Sequence, residues 1–225
     1  MFLRIVNSPP VAERFEMYAY YAREDDTTGL PQICREPVAG SSASLAAGIV
    51  VREPVGVVAC ISPYNFPMTN CAGKIGPALA CGNTVVIKPP PQDPLGMTEL
   101  ARIVAEALPP GVVNFISGPS PELGEALTTS PDVDMVSFTG STGVGARIEE
   151  VAGRTMKRTL QELGGKSANI IFEDCDISGA LRGAMSVFAF HAGQICIAGT
   201  RVLVQENLYE EFTAKLVGAA GQLKI

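Results

Sequence analysis

A single histidine, His191, stands in the whole 225-residue chain, and that scarcity removes two kinds of enzyme at once. A histidine-rich metal site lacks its ligands, and a Ser-His-Asp triad would have to be assembled around this one imidazole. The six cysteines, Cys34, Cys60, Cys71, Cys81, Cys175 and Cys196, are dispersed, with no Cys-x-x-Cys pair and no zinc-ligand spacing, so no metal is expected. Most lie in apolar runs and read as small buried hydrophobes of a reducing compartment. There is no Lys/Arg-rich run. With a formal net charge of −6, neither nucleic acid nor an anionic membrane surface is an expected partner. Long apolar runs are also lacking: Met1–Val6 is broken by Arg4 and is too brief for a signal-peptide core or a membrane span. The expected compartment is the cytoplasm. What remains, 47% hydrophobic and 18% charged residues, reads as a soluble α/β protein with a core for one large or two small domains.

From Val55 onward, β-branched apolar runs alternate with helical periodicity. Strands are predicted at Val55–Ile61, Thr84–Lys88, Val112–Ile116, Met135–Thr139 and near Thr159–Glu162. Helices are predicted at about Asn65–Ala80, at Leu95–Leu108 (stopped by Pro109-Pro110-Gly111), at Glu122–Thr128 and after Gly143. Strands separated by helices imply a parallel, doubly wound, Rossmann-like sheet with right-handed crossovers. The head of the chain differs: Phe15–Arg23 reads as an amphipathic helix, Asp25–Gly29 as a loop, and Ala46–Arg52 as a strand belonging to no βα unit. After Glu162 a second α/β unit begins, with strands at Ala168–Phe172 and Arg201–Gln205 and helices at Ile177–Phe190 and Leu208–Leu216. About sixty residues is near the lower limit for an independent core.

Two glycine-flanked segments carry the most chemistry. Glu162 sits in Gln161-Glu162-Leu163-Gly164-Gly165-Lys166. Cys196 lies 34 positions downstream, in Gly193-Gln194-Ile195-Cys196-Ile197-Ala198-Gly199-Thr200-Arg201. A thiolate that attacks a carbonyl and a carboxylate that later activates water are suited to those two positions. Asn65, in Ser62-Pro63-Tyr64-Asn65-Phe66-Pro67, reads either as a helix N-cap or as an amide aimed at developing negative charge. Lys88, closing a strand before Pro89-Pro90-Pro91, is either a solvated strand end or a cation that grips a ribose hydroxyl or phosphate. Phe138-Thr139-Gly140-Ser141-Thr142-Gly143-Val144-Gly145 is a glycine-rich strand-to-helix turn of the kind that seats a pyrophosphate, although its spacing is not Gly-x-Gly-x-x-Gly. His191 reads as a polar residue at a helix end.

These strings, in this order, resemble the aldehyde dehydrogenase superfamily from about Pro54 to the end of the chain. The resemblance implies oxidation of an aldehyde to a carboxylic acid with NAD or NADP. It makes Cys196 the nucleophile, Glu162 the base and Asn65 an oxyanion-hole donor. It assigns cofactor contacts to Ser62, Pro63, Lys88, Gly140, Ser141, Gly145, Leu163 and Gly164. Tyr64 stands where the family has Trp. Many NAD-preferring relatives carry Glu at the position of Pro91, so its loss here makes NADP as credible as NAD. Tyr64, Phe66, Met68, Ile195 and Ile197 are expected to line an apolar funnel that favours aliphatic or aromatic aldehydes.

On the same resemblance, residues 1–35 are a partial helical segment of the cofactor domain and 36–53 an oligomerisation-type strand. Residues 54–163 are the NAD(P)-binding domain, and 164–225 are the start of a catalytic domain. Relatives run beyond twice this length, so a truncated member is expected, without the segment that holds the nicotinamide ribose. The family's homo-oligomer is doubtful for it. Two alternatives follow: a non-catalytic piece that keeps a nucleotide-binding fold, and transfer of the thioester to coenzyme A, against which Glu162 argues.

Overall fold

The computed structural model describes residues 2–24, 27–35, 39–40 and 42–224, with side-chain surroundings from residue 11 onward. The chain divides into two compact units, one of residues 1–138 with 150–160, the other of 139–149 with 161–225.

The first unit opens with helix α1 (Phe2–Tyr21) and four three-residue strands, β1 (Thr27–Gly29), β2 (Ile33–Arg35), β3 (Ser44–Ala46) and β4 (Ile49–Val51). β1 pairs antiparallel with β4, and β2 with β3. The helix therefore begins well before Phe15. The predicted loop after residue 24 contains β1, while Asp25 and Asp26 lie outside the described residues. The single strand expected at Ala46–Arg52 is two short strands with different partners, Thr27↔Val51 for one and Ile33↔Ala46 for the other.

The βα region follows as β5 (Val57–Ile61), α2 (Pro67–Ala80), β6 (Thr84–Lys88), α3 (Leu95–Ala107), β7 (Val113–Phe115), α4 (Glu122–Thr129), β8 (Met135–Gly140), α5 (Thr142–Gly153) and β9 (Arg158–Leu163). The sheet order is β7-β6-β5-β8-β9. β5 pairs in parallel with β6 and β8, and β6 with β7. The chain thus winds outward from β5 in one direction and then returns to build the other side, the doubly wound pattern. β5 is apolar along its whole length because both faces of a parallel sheet are covered. Its core partners are Cys71, Ile75 and Ala78 of α2, Val85 and Ile87 of β6, and Met97, Leu100 and Val104 of α3. Cys71, Ile75 and Ala78 recur at helical spacing, which turns one stripe of α2 inward. α1 lies against α2 at Gly73 and Gly76, where a Cβ on Gly76 would stand 2.3 Å from the Tyr18 ring.

The second unit holds β10 (Ala168–Ile171), α6 (Ile177–Ala189), β11 (Arg201–Val204) and α7 (Tyr209–Ala220). β10 and β11 form a two-stranded parallel sheet in the register Ala168↔Arg201 to Ile171↔Val204. Ile171, Ala184 and Phe212 are its buried centre, with Leu181, Val202 and Leu216 packed around them. Asp176 caps α6, accepting from the N–H groups of Ser178 and Gly179. Among the described residues no helix is long and apolar enough to cross a membrane.

Candidate active site

In the first unit, the segment after β5 leaves the sheet at its carboxyl edge, where α/β sheets bind ligands. Ser62 is buried, and its N–H donates to the Lys88 carbonyl at 3.3 Å. This bond carries the β5–β6 ladder one step beyond Ile61↔Lys88 and holds the two loop starts together. Lys88 is half-buried, and that burial lowers its pKa below the ordinary lysine value. Pro63 is half-buried and Pro91 exposed. Asn65 Oδ1 accepts from the Phe66 N–H at 3.1 Å. Phe66 itself occupies the N-cap position of α2, with proline following it in the first turn, so the N-cap reading of Asn65 moves by one residue. Tyr64 is 49% exposed, whereas Met68 packs against the core, with its sulfur 3.1 Å from where a Cβ on Gly96 would stand.

The second unit contains the glycine turn, Glu162 and Cys196. The Ser141 carbonyl accepts the Gly145 N–H at 3.0 Å, and Ser141 Oγ faces the Val144 N–H at 3.4 Å, which opens α5 immediately after Gly140. Gly145 is buried. A Cβ there would lie 2.6 Å from both Gln161 Oε1 and Leu163 Cδ2, so glycine is required for the close approach. Gln161 Nε2 donates to the Gly145 carbonyl at 3.1 Å and to Glu149 at 3.0 Å. Leu163 is half-buried, and both Glu162 and Gly164 are exposed. Thr139 Oγ1, at the head of the turn, is buried without a hydrogen-bond partner. Four residues on, within the first turn of α5, a Cβ on Gly143 would meet nothing within 4 Å. An orphaned hydroxyl, open space and a helix N-terminus together fit a phosphate group.

Cys196 reaches its place through an unusual turn. Past the end of α6, His191, Ala192 and Gly193 all take left-handed conformations, with φ of 51°, 52° and 73°. The chain reverses there, and the Gln194 N–H and its side-chain amide both donate to the His191 carbonyl. Cys196 is exposed, Ile195 half-buried and Ile197 80% exposed. The β10–β11 register then sets Cys196 beside the Glu162 segment. Ala168 lies six residues beyond Glu162, Arg201 lies five beyond Cys196, and the two are paired. Arg201 donates through its N–H to the Ser167 carbonyl at 3.1 Å and through Nε to the Lys166 carbonyl at 2.8 Å. A Cβ on Gly165 would come within 3.8 Å of the Cys196 carbonyl oxygen. Asn65 belongs to the first unit.

The roles of three residues of this arrangement escaped the sequence reading, although each lies inside a quoted motif. Thr139 is a β-branched strand residue until its burial beside a turn is seen. Gln161 and Arg201 look like solvated polar residues until their carbonyl partners are known.

A doubly wound sheet with a glycine turn opening a helix is the arrangement of the α/β nucleotide-binding fold class. The aldehyde dehydrogenase family profile matches residues 6–225, and the chain belongs to that family. It is 39% identical over 210 residues to betaine aldehyde dehydrogenase of Bacillus subtilis, covering 93% of this chain and 42% of that protein. Against retinal dehydrogenase 2 of Gallus gallus it is 49% identical over 171 residues, 75% of this chain and 33% of the relative. Among solved structures, Staphylococcus aureus betaine aldehyde dehydrogenase in complex with NAD+ superposes with a TM-score of 0.87 at 34% identity. That match covers 97% of this chain and 42% of the other. An NADP-dependent enzyme of E. coli superposes with a TM-score of 0.84 at 34% identity, covering 95% and 43%. The matches therefore cover between a third and about two-fifths of the length of these relatives.

Proposed function

We propose that this chain carries the thiol chemistry of aldehyde oxidation, with NAD or NADP as cofactor. What supports the reading is the β10–β11 register, which sets the segment after Glu162 against the backbone of Cys196. Cys196, reacting as the thiolate after its proton has passed to solvent, adds through Sγ to the carbonyl carbon of an aldehyde, and the resulting oxyanion takes hydrogen bonds from a backbone N–H and, as the family resemblance implies, from the Asn65 amide. A bound nicotinamide cofactor supplies the hydride acceptor. Loss of hydride from the thiohemiacetal carbon leaves a thioester on Cys196. Glu162 takes a proton from water, the hydroxide attacks the thioester carbon, the C–S bond breaks and the carboxylic acid departs. Gly140, Ser141, Gly145 and Thr139 would hold the cofactor's phosphates, Ser62, Pro63, Lys88 and Pro91 its adenosine half, and Leu163 and Gly164 its nicotinamide end. By the family resemblance Tyr64, Phe66, Ile195 and Ile197 would present apolar surface to the substrate, with Met68, packed against the core, behind them, which fits aliphatic or aromatic aldehydes.

Equilibrium dialysis with NAD+ and NADP+ tests the first half of this reading. A burst of reduced cofactor on adding a simple aldehyde, abolished in Cys196→Ala, tests the second. Because the chain spans 42% of its Bacillus relative, a non-catalytic nucleotide-binding chain is the second reading. Cofactor binding without any burst selects it.

A further inference from the structure

We infer that Arg201 is a positioning residue that holds the Glu162 segment against the Cys196 loop, so that hydrolysis of an acyl group on Cys196 depends on Arg201 more than its formation does. This rests on the assignment of Cys196 and Glu162 made above.

Leu163 ends β9 and Ala168 begins β10, so the residues between them lie outside both strands. Two of them, Gly164 and Gly165, carry no Cβ, and a side-chain carbon on Gly164 would touch nothing within 4 Å. Glycine has wide conformational freedom, and this pair directly follows the end of β9, whose last two residues are Glu162 and Leu163. The chain next becomes fixed at Lys166 and Ser167, whose carbonyls accept from Nε and the backbone N–H of Arg201, at 2.8 and 3.1 Å. The Lys166 side chain reaches back to the Gly165 carbonyl, at 3.3 Å, within its own segment.

Arg201 is also the first residue of β11, and the Cys196 loop leads straight into it. The Thr200 N–H donates to the Ala198 carbonyl at 2.8 Å and the Ala198 N–H to the Ile195 carbonyl at 3.2 Å, so this loop is internally braced. One residue thus joins a braced loop, bearing the nucleophile, to a loose one that follows the base. The Arg201 bond to Lys166 comes from the side chain, so substitution removes it while leaving the β10–β11 ladder in place. Acyl transfer to sulfur uses the Cys196 loop and its oxyanion donors, with no proton taken by Glu162. Attack by water needs that loop and Glu162 together.

An activated ester separates the two steps without any cofactor. With p-nitrophenyl acetate, Cys196 Sγ attacks the ester carbonyl, the C–O bond breaks, and nitrophenolate leaves as a burst. Water, losing its proton to Glu162, then cleaves the C–S bond to release acetate at the steady-state rate. For Arg201→Met the expected result is a burst within twofold of the unaltered chain and a steady-state rate about tenfold lower. Arg201→Lys, which keeps the charge and one donor, should fall between. The pH profile of the steady state should flatten in Arg201→Met as the base loses its grip on water. Equal losses in both phases, or an unchanged steady state, overturn the role of Arg201. If Arg201→Met does not fold, Arg201→Lys alone decides by the same ratio of phases. A burst that is missing, or that survives Cys196→Ala, overturns the assignment of the nucleophile itself, and the inference with it.

Discussion

Asp134 occupies the space that a side chain on Gly56 would need. Its Oδ2 accepts the Val57 N–H at 2.8 Å and lies 2.1 Å from the position of a Cβ on Gly56, a residue held at φ of 118°. The Gly56 N–H donates to Asn83 Oδ1 at 3.0 Å, so this turn ties the starts of β5, β6 and β8 together. At a tolerant site, replacing glycine with alanine stabilises by about 0.4–1 kcal/mol. Here Gly56→Ala should destabilise by about 1–3 kcal/mol from backbone strain alone, read as a lower urea midpoint. A midpoint that rises would contradict the geometry.

The first unit should weaken in alkali. Burial pushes the Cys60 thiol up to about 12, partly offset by the charge of Lys74. The same burial, together with the neighbouring Cys60, pushes the Cys71 thiol up as well. Both thiols keep their protons in the fold at pH values where an unfolded chain has lost them, so the native state binds more protons than the unfolded one. Their contribution to stability is complete below the ordinary thiol value of about 8.5 and falls as pH rises towards the folded values. Thermal unfolding across that range should show a falling midpoint, with a shallower slope in the Cys60→Ala, Cys71→Ala double variant.

The second unit has an acid-side counterpart. The Ser178 hydroxyl, then the Gly179 and Ser178 N–H groups, donate to the Asp176 carboxylate and hold its pKa below the ordinary value. A depressed folded pKa contributes stability above the unfolded value, and that contribution is lost as pH falls through the folded one. Asp176→Ala should therefore fray the first turn of α6 at neutral pH and make little difference once the native carboxyl is protonated. Hydrogen exchange at the Ser178 and Gly179 amides, compared at the two pH values, checks this.

Lys88 offers a cation at the carboxyl edge of the sheet, half-buried, with its start fixed by the Ser62 bond to its own carbonyl. Replacing it by Met should weaken NAD+ or NADP+ about tenfold, the scale of one charge-assisted hydrogen bond. Equilibrium dialysis measures it, and an unchanged Kd would remove Lys88 from the cofactor contacts.

The βα region was legible because each strand is a buried apolar run, bounded by turn residues and followed by a helical stripe. Thr84–Lys88 was read to the residue. β1 and β2 were not legible: three residues carry no usable alternation, and their pairing with β4 and β3 is a long-range choice. The sequence predicts α1 only from Phe15, whereas the structure runs it from Phe2, through Pro9 and Pro10. In the candidate site the motifs point to Glu162 and Cys196, but not to the hydrogen bonds around their segments. The left-handed turn at His191 and Ala192 is invisible in sequence because neither residue is glycine. Arg201 acts on carbonyls that only the parallel register brings near it.

The central claim is covalent, and the Glu162→Gln variant is where it is most exposed to test. With a simple aldehyde and a cofactor already seen to bind, peptide mapping by mass spectrometry should find Cys196 carrying the aldehyde's mass less two hydrogens. That adduct should persist in Glu162→Gln, be short-lived in the unaltered chain and be absent from Cys196→Ala. A Cys196 peptide that stays unmodified in Glu162→Gln, with cofactor bound and aldehyde in excess, would contradict the account.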